Sequence, residues 1–171
     1  TSKHVSDGMV IKDLCKAALE NSDNTAMNLL IYKMNGLQYM NKFAKQIGNN
    51  SFRQDHLWPK EADNSPKDIK DTSTPNDMAT SLQKLLFTDV LPQPQRKSLE
   101  TWLKQCKTGD NRIRSGVPHG WTVGDKTGTG SYYGITNDLG VVWPPHCAPV
   151  IIAIYYYNDQ RHANKNEAVL G

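Results

Sequence analysis

The sequence predicts an α+β fold with its helices first and its strands last, and three observations carry that prediction. Apolar residues recur at helical spacing from Ile11 to Cys106. Short runs rich in β-branched and aromatic residues, bounded by Gly, Pro and Asn, occupy the region after Gly120. The 171 residues are 37% hydrophobic and 22% charged, a composition that can bury a core.

Ile11, Leu14, Cys15, Ala18 and Leu19 fall on one face of a first amphipathic helix. Thr25 to Lys33 reads as a second helix, and Leu37, Met40, Ala44 and Ile47 mark a third. Asn49 to Ser73 is polar and without periodicity, with prolines at 59 and 66, and reads as a long ordered loop. Thr74-Pro75 supplies an N-cap and a first-turn proline for a fourth helix carrying Met78, Leu82, Leu85 and Leu86. A fifth carries Leu99, Trp102, Leu103 and Cys106. Trp121–Val123, Leu139–Trp143 and Val150–Tyr157 then read as strands of an antiparallel meander.

Several function classes are poor fits. The 20 basic and 17 acidic residues leave +3, with Lys and Arg scattered, so no basic stripe marks a nucleic-acid surface. No apolar stretch approaches the length of a membrane span, and Thr1-Ser2-Lys3-His4 has none of the regions of a signal peptide. The five histidines show no clustered spacing for a metal, and no cofactor is implied. Cys15, Cys106 and Cys147 cannot all pair within one chain, so at least one is free or finds its partner elsewhere.

Two short motifs carry chemistry. In "GDKTGTGSYYGITND", Lys126, Thr127 and Gly128 place an ammonium, a hydroxyl and an unobstructed backbone edge together, a combination suited to a carboxylate. Alone, the same residues also describe a solvated hairpin strand. Ser22-Asp23-Asn24 lies between two helices, where a hydroxyl and a carboxamide project from a rigid turn; ordinary helix capping uses the same residue types. In this order, with an ordered loop between them, the two motifs resemble the S-D-N and K-T-G elements of serine β-lactamases and penicillin-binding proteins.

The resemblance covers nearly the whole chain. "KHVSDGMVIKDLCKAALENSDNTAMNLL", "DTSTP", "TGDNRIRSGVPHGWTVGDKTGTG" and "TNDLGVVWPP" are all similar to class A serine β-lactamase sequence. It implies a β-lactamase/transpeptidase-like fold, here a helical domain plus a partial antiparallel sheet, incomplete at both ends. Residues 1–119 would form the mainly helical domain, with an omega-type loop at 49–73. Residues 120–171 would supply antiparallel strands and the start of a terminal helix, part of the α/β domain. It further implies that Ser22 relays a proton to the lactam nitrogen and that Asn24 holds the substrate's side-chain amide. Lys126, Thr127 and Gly128 would form the carboxylate site, and the backbone N–H of Thr129 would match one oxyanion donor. Arg112 sits where some members carry an arginine supporting that site; the other reading is a surface arginine.

The chain departs from the family pattern in two places. No S-x-x-K motif precedes Ser22, so the resemblance places the nucleophile in a segment upstream of Thr1. Ser81-Leu82-Gln83-Lys84 matches the pattern but lies on the fourth helix among packing leucines and is a decoy. Cys15 occupies the position of a cysteine that in many members bonds to one just beyond the nucleophile. Cys106 and Cys147 read as a helix-face core residue and a strand-end residue, although sequence does not exclude a bridge. In the loop, Arg53 and Asp71 match the arginine and aspartate expected to pin its ends. Trp58 and Ala62, however, stand in the slots of the glutamate and asparagine that position the deacylating water. Asp55 and Glu61 lie nearby, outside those slots, and read as solvated charges.

The expectation is therefore β-lactam recognition and hydrolysis through a serine acyl-enzyme, with deacylation in question. A non-hydrolytic β-lactam-binding pseudoenzyme or sensor-like domain is the alternative, and a peptidoglycan peptidase is disfavoured by the loop. The partial sheet should leave an exposed edge that a complementary N-terminal segment would cover. Family members are exported, and an oxidising compartment suits Cys15, so a periplasmic or secreted bacterial location follows from the resemblance.

Overall fold

The computed structural model describes residues 1–60, 65 and 67–171. Among these residues six α-helices, α1 (Ile11–Glu20), α2 (Asn24–Lys33), α3 (Leu37–Gln46), α4 (Pro75–Phe87), α5 (Gln93–Lys104) and α6 (Ile113–Gly116), precede three strands. β1 (Thr122–Thr129), β2 (Thr136–Trp143) and β3 (Val150–Tyr156) form an antiparallel sheet in the order β1-β2-β3. The α+β fold and the meander read from the sequence are thus the observed architecture.

Two helix starts follow side-chain capping chemistry. Asp23 accepts the Ala26 N–H at 2.9 Å to begin α2, and Thr74 accepts the Asp77 N–H at 3.2 Å to begin α4. Adjacent valines on β2 serve opposite faces of the sheet, as strand alternation requires. Val141 joins Leu82, Leu86 and Leu103, burying α4 and α5 against one face. Val142 joins Val123 and Ile113 on the other. Gly124 permits the close contact of α5 with β1, because a Cβ there would lie 3.1 Å from the backbone nitrogen of Lys104.

Four expectations change. α5 ends at Lys104, so Cys106 is a buried residue of the following turn, where the Lys107 N–H reaches the Glu20 carbonyl at 2.9 Å. Cys147 lies exposed in the β2–β3 connection and not at a strand end; all three cysteines are free thiols. The apolar run at Trp121–Val123 is only the start of β1, which continues through the polar Lys126–Thr129 because each of those residues pairs in register with β2. The expected start of a terminal helix is a short 3-10 turn, Glu167–Leu170.

The decoy serine is structural. Ser81 is buried, accepts from Asn49 at 2.9 Å and donates to the Asp77 carbonyl at 2.7 Å, while the Lys84 ammonium bonds the Ile47 carbonyl at 2.6 Å.

The omega-type loop is pinned differently from the expected pairing of Arg53 with Asp71. The Arg53 guanidinium grips Asp55 bidentately at 2.6 and 2.7 Å. The Asp71 carboxylate instead accepts the Asp55 and His56 N–H groups at 2.6 and 3.0 Å and meets His56 Nδ1 at 2.7 Å. The reason is local: Arg53 and Thr72 form a backbone bridge, which turns the two acidic side chains toward each other's backbone N–H groups. Asp55 is accordingly no solvated charge, because the Arg53 hydrogen bonds hold its carboxyl at about 2. Glu61 and Ala62 lie outside the described residues.

Candidate active site

The α1–α2 turn and β1 bring the two sequence motifs together. Ser22 has a left-handed backbone, φ 53°, an uncommon conformation for a residue with a Cβ, and so leaves α1 at an angle before Asp23 caps α2. The Lys126 ammonium donates to Ser22 Oγ at 2.8 Å and to its neighbour's carbonyl, Thr127 O, at 2.6 Å. Burial pulls this ammonium below its ordinary range.

Behind β1 lies a layer of charge. Arg112, only 3% exposed, donates to the carbonyls of Gly128 and Asn137 at 2.9 and 2.6 Å. It also reaches Thr129 Oγ1 at 2.8 Å and Glu167 Oε1 at 3.1 Å. This residue is therefore not a surface arginine; it acts on the strand edge through Gly128 and Thr129. The Thr127 hydroxyl meets Thr108 Oγ1 at 2.6 Å, and Thr108 in turn meets the Cys106 thiol at 3.4 Å. Asn24 and Thr129 line a cleft of about 330 Å³ between the α1–α2 turn, the loop and the end of β1. Trp58, His56 and Ile135 are also in its wall.

The sequence reading missed the acids beneath the strand. Arg114 donates to the Val123 carbonyl at 3.0 Å and pairs with Asp125, whose side chain is fully buried. Asp138, also fully buried, accepts the Ile113 N–H at 3.2 Å. Burial, then the Asp125 charge, pushes Asp138 up to about 6; burial also raises Asp125, against the opposing Arg114 charge. Asp125 directly precedes Lys126, and an acid at an inward strand position was the available signal.

Comparison with known proteins agrees with this geometry. The model of the beta-lactamase enzyme family matches residues 2–171. The chain belongs to that family. It is 45% identical over 170 residues to "Beta-lactamase OXY-2" of Klebsiella oxytoca, a match covering 99% of this chain and 58% of the relative. It is 41% identical to "Carbapenem-hydrolyzing beta-lactamase KPC" of the same organism, with the same two coverages. A crystal structure of a beta-lactamase from Desulfarculus baarsii superposes with a TM-score of 0.96 at 46% identity, covering 99% of this chain and 63% of that one. The chain thus spans about 58% of the length of the curated relatives it matches. The class A serine β-lactamase resemblance read from the motifs is the one these relatives bear out. No helix among the described residues is long and apolar enough to cross a membrane.

Proposed function

We propose that this chain supplies the substrate-recognition and proton-transfer half of a serine β-lactamase that opens and hydrolyses β-lactams through an acyl-enzyme. The 2.8 Å contact between the Lys126 ammonium and Ser22 Oγ carries this reading. It couples a cation, able to attract the substrate carboxylate, to a hydroxyl able to pass a proton. A desolvated ammonium donating to Ser22 Oγ stabilises developing negative charge on that oxygen.

In the proposed acylation, a serine hydroxyl attacks the lactam carbonyl carbon, the C–N bond breaks, and Ser22 delivers a proton to the departing nitrogen. Thr127 and Gly128 complete the carboxylate site. Asn24 holds the side-chain amide, and the Thr129 N–H donates to the carbonyl oxygen as it gains charge. Arg112 is a positioning cation, since its buried guanidinium holds Thr129 and the Gly128 carbonyl.

The attacking serine is proposed to come from an S-x-x-K segment upstream of Thr1. An apolar groove of about 980 Å³ between α1 and α2, lined by Val10, Leu14, Leu29 and Tyr32, gives such a segment a packing surface. Export to the periplasm or beyond the cell is proposed with it, the half-buried Cys15 thiol being available for a bridge. Non-reducing mass analysis of protein from an osmotic-shock fraction tests both. The function is tested by incubating the protein that carries this segment with benzylpenicillin. A mass increase equal to the whole drug, followed by release of penicilloate, is expected; no adduct and no turnover would overturn the reading.

A further inference from the structure

Trp58 lines the cleft proposed to take the substrate and has no part in the chemistry just described. It lies in the wall of the 330 Å³ cleft together with Asn24 and Thr129, yet it is 52% exposed. A large apolar residue in the wall of a concave, mostly polar site offers a contact surface to a ligand. The rest of the wall is mostly polar, with Gln54, His56, Lys60 and Asp71; Ile135 is the other large apolar contributor.

The backbone of Trp58 is held from α2. The Asn28 carboxamide donates to the Trp58 carbonyl at 2.6 Å. Asn24 and Asn28 are four residues apart and therefore share a helix face, separated by about 6 Å of helix axis. The residue proposed to grip the substrate's side-chain amide and the residue anchoring Trp58 are thus neighbours on one face. A group attached to the carbonyl of that amide, extending along this face, arrives at Trp58.

We infer that Trp58 is a specificity-determining residue, whose indole stacks on an aromatic acyl side chain and selects arylacyl β-lactams over those lacking such a group. This rests on the proposed function. An indole and a phenyl ring, in offset or edge-to-face contact, add stabilisation beyond the area they bury. The indole N–H is a donor without a basic lone pair, so its contribution is to binding rather than to proton transfer.

The test compares acylation rate constants, in the protein carrying the S-x-x-K segment, for benzylpenicillin and for 6-aminopenicillanic acid, which has the same bicycle and no acyl group. Trp58→Leu should lose about tenfold on benzylpenicillin and leave 6-aminopenicillanic acid unchanged. Trp58→Phe should recover most of the loss, and thermal unfolding of both variants should match wild type. Equal losses on the two drugs, or no loss on benzylpenicillin, would overturn the inference while leaving the proposed function standing. Failure of the wild-type protein to react with either drug would overturn both.

Discussion

The strand edge and the loop that face each other across the cleft are built by different physics. β1 is fixed by pairing over its whole length, from Thr122↔Trp143 to Thr129↔Thr136, and is backed by Arg112, Arg114, Asp125 and Asp138. The loop is fixed at its neck by side chains, Arg53 on Asp55 and His56 on Asp71, and at Trp58 by one carboxamide from α2. A sheet register places every second residue automatically. A loop position has meaning only through its individual partners, which is why the loop can hold Trp58 where the family pattern has a carboxylate without losing its attachment.

The largest effect that would sharpen this contrast is expected beneath the strand. Arg114→Ala would leave Asp125 buried without its guanidinium, costing about 3–5 kcal/mol in urea unfolding. A loss below about 1 kcal/mol would mean that the charge layer does not hold β1.

On the loop side, Trp58→Glu should leave the fold intact and restore a carboxylate where a deacylating base belongs. The release rate of the acyl-enzyme should rise on the order of 100-fold, read by single-turnover mass spectrometry. An unchanged release rate would show that the loop contributes deacylation by another group.

Asp138 tests the strand by pH. Its charged neighbours are Asp125 and Lys126 on β1 and Arg112 just before α6. A carboxyl raised to about 6, against an ordinary value near ~3.9, is favoured in its protonated form by the folded state. Its stability contribution is therefore greatest below about pH 4, falls as pH rises toward 6 and stays lower above it. Asp138→Asn should remove that slope, gaining about 2 kcal/mol relative to wild type between pH 4 and pH 8. Parallel pH profiles for the two proteins would refute the assignment.

The smallest effect is expected at the loop neck. His56→Ala should cost about 1.5 kcal/mol and leave acylation by 6-aminopenicillanic acid unchanged, because it removes one hydrogen bond to a carboxylate that makes none with Ser22 or Lys126. A change in that acylation rate larger than the change in stability would tie the neck to the strand edge.

This division also explains what the sequence disclosed. Apolar periodicity located α1 to α5, and β-branched runs located the strands, since both patterns repeat over many residues. Ser22 and Lys126 were legible as motifs because each sits in a run of consecutive residues with definite chemistry. The short α6, the end of α5 before Cys106, and the buried depth of Arg112 depend on single long-range contacts such as Lys107 to Glu20 and Arg112 to Asn137. The neck was misassigned because Arg53 was matched by residue type to the family's loop-pinning arginine, whereas the backbone bridge from Arg53 to Thr72 aims Asp71 at His56.

The Lys126–Ser22 contact is proposed as the chemical part of the strand edge, not a structural tie. Stopped-flow acylation of Lys126→Ala by benzylpenicillin, in the protein carrying the S-x-x-K segment, tests it most directly when thermal unfolding is recorded on the same sample. The expected result is a rate lower by about 100-fold or more, with stability within about 1 kcal/mol of wild type. Wild-type acylation by the variant would contradict the claim and return Lys126 to the role of a strand residue that happens to touch a serine.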